Sequence, residues 1–123
     1  MIPSAAFDDA RRMIPLSDDA LFSTLGSRLV ASGPDAGRTL GPGDSLRRRG
    51  EDYFERVRDR LARRLCPEWR GLLEKDVADQ QDVVTALLPL IVEALGFSDS
   101  QTSVAAVLVV IVVRRGVDAL CSR

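Results

Sequence analysis

Three groups of side chains in this 123-residue chain are of types that do chemistry. The first is a run of arginines: Arg47, Arg48 and Arg49, then Arg56, Arg58, Arg60, Arg63 and Arg64, eight guanidiniums within eighteen residues. Planar guanidinium forks pair with phosphates and carboxylates, so this run is the natural landing place for an anionic partner. The second is an acidic cluster, Glu74, Asp76, Asp79 and Asp82, whose hard oxygens are the ligand type of Mg²⁺ and Ca²⁺. The third is a pair of thiols, Cys66 and Cys121. Histidine is absent, which removes every mechanism that needs an imidazole.

Each group also has a structural reading. Glu51, Asp52, Glu55 and Asp59 are interleaved with the arginines and leave the stretch at +4. Asp52–Arg56 and Asp59–Arg63 put opposite charges one helical turn apart, with the acid on the favourable N-terminal side. Glu55–Asp59 and Arg56–Arg60 put like charges together, so the self-pairing is incomplete. A formal charge of -1 for the whole chain argues against a nucleic-acid binder. Sixteen of the seventeen cations are Arg, which together with abundant Ala, Gly and Val fits a GC-rich genome. The acidic cluster lacks the spacing and the glycine of a calcium loop, and acids at a helix start are favoured by the helix dipole, so no metal is expected. The two cysteines fit neither a metal spacing nor a disulfide framework. They read as reduced structural thiols, and with an N-terminus that lacks a signal-peptide pattern they place the chain in the cytoplasm.

One string has a catalytic look. Gly43-Asp44-Ser45-Leu46 resembles the GDSL block of the SGNH hydrolases, in which the serine is the nucleophile. That family's serine follows an apolar strand, whereas Gly41-Pro42 precedes the string here. A serine hydroxyl also needs a base to take its proton, and this chain has no histidine. Asp44 and Ser45 are therefore read as helix-cap residues. No phosphate-binding loop is present: Gly41-Pro42-Gly43 lacks the further glycine of a dinucleotide fingerprint, and Lys75 follows no glycine-rich loop. The chain is read as a non-enzyme without a cofactor.

The elements that carry these residues follow from apolar spacing and caps. With 46% apolar and 28% charged residues the chain is not disordered throughout, and it is too short for a two-half dinucleotide fold or a TIM barrel. Residues 4–14 are read as a first helix, ended by Pro15. Ser17 caps a second, in which Leu21, Phe22, Leu25, Leu29 and Val30 form one stripe. Residues 33–43, rich in Gly and Pro, read as a flexible loop. A strongly amphipathic helix follows Ser45, with Leu46, Tyr53, Phe54, Val57, Leu61 and Leu65 on one face, and Pro67 is expected to end it. A fourth helix is expected over 77–95, kinked at Pro89 and closed by Gly96.

Ser98 and Gln101 form a capping box ahead of ten consecutive apolar residues, 104–113, seven of them β-branched. No other segment alternates as a strand partner, so the run is read as a helix of about twenty residues continuing through Val117 and Leu120. It is too short to cross a bilayer, which needs about twenty apolar residues. A helix apolar on all sides must be covered on all sides, by its own chain or by a second subunit.

The expectation is an all-α fold: a single domain over 1–123, a compact bundle of about five helices around a central apolar C-terminal helix. In size and helix count it is similar to the small helical adaptor domains of bacterial signalling and defence systems, including death-fold-like modules. The missing catalytic groups, the all-helical pattern, the uneven charge and the surplus of apolar helix surface point to a non-enzymatic protein-interaction module, an adaptor or regulatory partner of another protein, for instance a co-encoded one, or of a second copy of itself as a homo-oligomer. The contact surface is expected at Arg47, Arg48 and Arg49 or at Asp76, Asp79 and Asp82. The alternative is a nucleic-acid-binding protein that uses the Arg-rich helix 45–65.

Overall fold

The computed structural model describes residues 2–31, 45–74 and 80–121, except the side chains of residues 71–74, 80 and 118. Six α-helices and one 3-10 turn follow in order: α1 Ser4–Met13, α2 Asp18–Ala31, α3 Leu46–Glu74, α4 Gln80–Leu95, the turn Asp99–Gln101, α5 Thr102–Arg115 and α6 Val117–Cys121. No strand occurs among the described residues, so the fold is the expected all-α bundle.

The apolar run is the centre of it. Residues 104–112 are each no more than 2% exposed, and α1, α2, α4 and α6 pack around the helix that carries them. One chain therefore covers α5 on all its faces, and this helix offers no stripe to a second subunit. A β-branched run is helical here because the backbone bonds of a helix are satisfied within the segment, whereas a strand needs a partner.

Caps set the helix starts. The Ser17 hydroxyl oxygen accepts the Ala20 N–H at 3.2 Å, and Asp18 and Asp19 occupy the first turn of α2. The Ser45 hydroxyl oxygen accepts the Arg48 N–H at 3.0 Å at the head of α3. The capping box is present too, with the Ser98 N–H donating to Gln101 Oε1 at 3.0 Å.

Two boundaries differ from the expectation, at Pro67 and at Gly116. Pro67 does not end α3, which continues to Glu74 with the proline inside it. An interior proline lacks its N–H and crowds the carbonyl four residues back, at a cost of about 3 kcal/mol. Contacts on both sides offset this: Leu65 is fully buried, Trp69 packs against the core, and Cys66 is covalently tied to α6. Pro89 likewise lies inside α4, flanked by the buried Leu87, Leu88 and Ile91. The predicted twenty-residue last helix is interrupted at Gly116, whose φ of +96° separates α5 from α6. The loop 33–43 and the expected start of α4 at 77 fall outside the described residues.

The closest helix contact is one that periodicity does not announce. An ideal Cβ on Gly26 would lie 1.8 Å from the backbone oxygen of Leu46, and one on Gly50 would lie 2.1 Å from the backbone oxygen of Phe22. The α2 and α3 backbones touch, and only glycine fits at either position. Phe22 and Phe54 meet edge to face beside this crossing, ring centroids 6.1 Å apart. A second tie links three helices: Arg28 donates to both carboxylate oxygens of Asp9, at 2.6 and 3.1 Å, and to the Ser103 carbonyl at 2.8 Å.

Two substitutions test this architecture. Gly50→Ala forces α2 and α3 apart and should cost about 1–3 kcal/mol in chemical denaturation. An unchanged unfolding midpoint would show that the backbones are not in contact. Val110→Asp buries an unpaired charge in α5 and should prevent folding; a soluble protein with the parent melting temperature would mean that the run is exposed.

Candidate interaction surface

The long helix α3 carries most of the cations, and its rotation decides which of them act together. Successive residues turn by about 100° around a helix, so three in a row fan over more than half its circumference. Arg47, Arg48 and Arg49 do so. Arg47 Nε is held by Glu51 at 2.7 Å and by Asp19 of α2 at 3.1 Å. Arg48 is exposed and Arg49 is half-buried. The basic run thus helps to seat α3 on α2 and does not form one face. Of the acids singled out with it, Asp82 is exposed in the first turn of α4, while Asp76 and Asp79 lie outside the described residues, as does the side chain of Glu74. Among the described residues no cluster of three potential metal ligands forms.

A different set of arginines does share a face. Arg56, Arg60, Arg63 and Arg64 follow at spacings of four, three and one and run beside the C-terminal end of α4. The Arg56 guanidinium lies 5.5 Å from the centroid of the Tyr53 ring. Arg60 donates to the Ala94 carbonyl at 3.4 Å, where the C-terminus of α4 favours a cation. Arg63 Nε reaches the Asp59 backbone carbonyl at 3.5 Å, so the expected Asp59–Arg63 ion pair is not made through the carboxylate. Arg64 bonds Glu93 at 2.7 Å and Glu68 at 3.4 Å. The hydrogen bond that Arg64 donates to the Glu93 carboxylate raises the Arg64 pKa above its already high value.

Two clefts border this stripe. One is lined by Arg60, Arg63, Arg64 and Ala94. The other contains Tyr53, Arg56, Arg60, Leu95 and Phe97. Arg60 lines both, so the two form one basic strip with aromatic and aliphatic residues along it. Among the described residues no carboxylate pairs with Arg60 or Arg63. The i, i+4, i+7, i+8 spacing of 56, 60, 63 and 64 marks this face in the sequence, whereas the three adjacent arginines 47–49 fan around the helix.

The thiols are the clearest correction. Cys66 and Cys121 are joined in a disulfide, with Cα atoms 5.5 Å apart, so neither is a free thiol. A separation of 55 residues says nothing of distance when α3 and α6 are folded side by side. The bond pins the short α6, whose Val117 and Leu120 are buried, against α3. Ser45, the serine of the GDSL-like string, is a helix cap.

A bond that closes a loop of this length stabilises mainly by restricting the unfolded chain. Reduction, or Cys121→Ser, should lower stability by about 2–4 kcal/mol in denaturant titrations; equal stability in oxidised and reduced protein would refute the pairing. No helix among the described residues is long and apolar enough to cross a membrane. Compared with protein-family models, curated proteins and solved structures, the chain matches none of them.

Proposed function

We propose that this chain is a non-enzymatic helical interaction module whose α3–α4 arginine stripe receives an acidic segment of another protein. The observation that carries the reading is the pair Arg60 and Arg63, exposed on one face, bonded only to backbone carbonyls and flanked by Tyr53, Leu95 and Phe97. Interfaces are anchored by arginine and aromatic side chains, and charge complementarity sets the association rate and the choice of partner. A co-encoded protein, as in the adaptor systems that the chain resembles in size and helix count, is the partner proposed. Self-association remains a version of the same reading, with the acidic part around Asp82 of one copy meeting the stripe of another. The clusters Arg47–Arg49 and Asp76–Asp82 are secondary sites in this scheme, because Arg47 is already engaged by Asp19 and Glu51.

The cytoplasmic placement rested partly on free thiols and loses that support once Cys66 and Cys121 are joined. A disulfide of this kind persists in an oxidising compartment.

The test is fluorescence anisotropy with a labelled Glu-rich amphipathic peptide, beside single-stranded and duplex oligonucleotides. The peptide should bind, and the double variant Arg60→Glu/Arg63→Glu should weaken it by tenfold or more without lowering the melting temperature. Reversal at Arg47, Arg48 and Arg49 should weaken it less. Oligonucleotide binding that falls steeply with salt, without peptide binding, would replace this reading by the nucleic-acid one. Mass measurement in solution checks self-association.

A further inference from the structure

A second site lies away from the stripe, where α3, α5 and α6 meet. A cavity of about 250 Å³ opens there. Its apolar wall is made by Phe54, Val112 and Leu120, and two guanidiniums, Arg58 and Arg115, also line it.

The two arginines at the end of α5 have different fates. Arg114 is structural: its Nε donates to Asp18 at 3.0 Å and its Nη1 to the Ile14 carbonyl at 3.4 Å. Arg115 is held by rings. Its guanidinium carbon lies 5.0 Å from the Phe22 centroid and 5.6 Å from that of Phe54, and among the described residues no carboxylate pairs with it. Stacking fixes the position of a guanidinium while its in-plane N–H groups stay available. Arg58 is only loosely engaged, with Glu55 at 3.8 Å, beyond hydrogen-bond range. The wall opposite is fixed: Gly116 turns the chain into α6, and the Cys66–Cys121 disulfide ties the end of α6 to α3 directly after Leu120. Nothing lies within 4 Å of where a Cβ on Gly116 would stand, so the backbone there borders open space.

We propose that this cavity binds a small organic carboxylate, its apolar body against Phe54, Val112 and Leu120 and its carboxylate between Arg58 and Arg115. A few convergent charged donors over an apolar wall are what such a ligand requires, and the volume, below the roughly 300–1,000 Å³ of drug-sized sites, sets its size at that of an aryl or short-chain acid. A planar carboxylate matches the guanidinium fork in two parallel hydrogen bonds.

The experiment titrates the oxidised full chain with phenylacetate, phenylacetamide and inorganic phosphate, read by amide chemical shifts and calorimetry. Phenylacetate should saturate, shift the amides of Val112, Ala119 and Leu120, and bind at least about tenfold more tightly than either the neutral amide or phosphate. Arg58→Gln and Arg115→Gln should each lose about tenfold for phenylacetate and leave the amide unchanged. Should Arg115→Gln fail to fold because its ring contacts are lost, Arg58→Gln and the acid-to-amide ratio of the parent protein decide the matter. Equal affinity for acid and amide, phosphate binding as tight as phenylacetate, shifts confined to other parts of the fold, or no saturation at millimolar ligand would each overturn the assignment.

Discussion

A helix that is apolar on every side has to be enclosed, and this requirement organises the whole molecule. The backbone of α5 is satisfied within the helix itself, so burial leaves only side chains to be accommodated, and these are all apolar from Val104 to Val112, branched except at Ala105 and Ala106. Each buried side chain of this type contributes on the order of 1.5–3 kcal/mol relative to exposure. The other elements make sense as parts of that enclosure: α1, α2 and α4 pack against α5, and α6 follows its C-terminal end and folds back on it. The long α3 packs mainly on α2, α4 and α6, as an outer layer.

That layering explains the glycine crossing. The amphipathic α3 makes its most extensive contact with the core layer through α2, and Gly26 and Gly50 let the two backbones meet there. The approach brings Phe22 and Phe54 edge to face and places both rings under Arg115. A packing device inside the fold therefore positions a cation at the surface. The link from core to candidate pocket is short: two glycines set the helix separation, two phenylalanines fill the space beside it, and the guanidinium rests on their rings.

Local rules made much of the fold legible. Ser17, Ser45 and the Ser98–Gln101 box mark helix starts because capping depends on residues within one turn of each other. The core face of α3 could be read from apolar spacing, and Tyr53, Phe54, Val57, Leu61 and Leu65 are all buried. What was not legible depends on partners distant in sequence. Pro67 should end a helix taken alone, but Trp69 and the bond at Cys66 hold the continuation in place. Gly116 reads as one weak position in a long helix until the need to fold α6 back gives it a positive φ. Cys66 and Cys121 cannot be paired from their spacing. The candidate surface follows the same division: the charge of α3 was visible, but which arginines stay available was not, because Asp19, Glu93 and the Ala94 carbonyl belong to other helices.

The arginines of this fold differ widely in what they contribute to stability. Exposed ion pairs such as Arg47 with Glu51 contribute about 0–1 kcal/mol, since solvent screens them and two long side chains must be ordered. The Arg28–Asp9 pair is different: about three-quarters buried on each side, bidentate, and bonded as well to the Ser103 carbonyl, it links α1, α2 and α5. One such tie accomplishes more for the fold than a row of surface contacts. Arg60 and Arg63 bond only backbone carbonyls, and Arg115 rests on rings with its in-plane donors unspent. These three lie at two separate places, one a strip open along its length and the other a cavity backed by the core. The strip suits an extended acidic surface, which gains from several screened charges at once. The cavity suits a single small anion, which gains from a few donors in a less polar setting, where each is worth more. Under the two proposals, guanidiniums in such unlike environments would take two different kinds of anion, each at its own place on the fold.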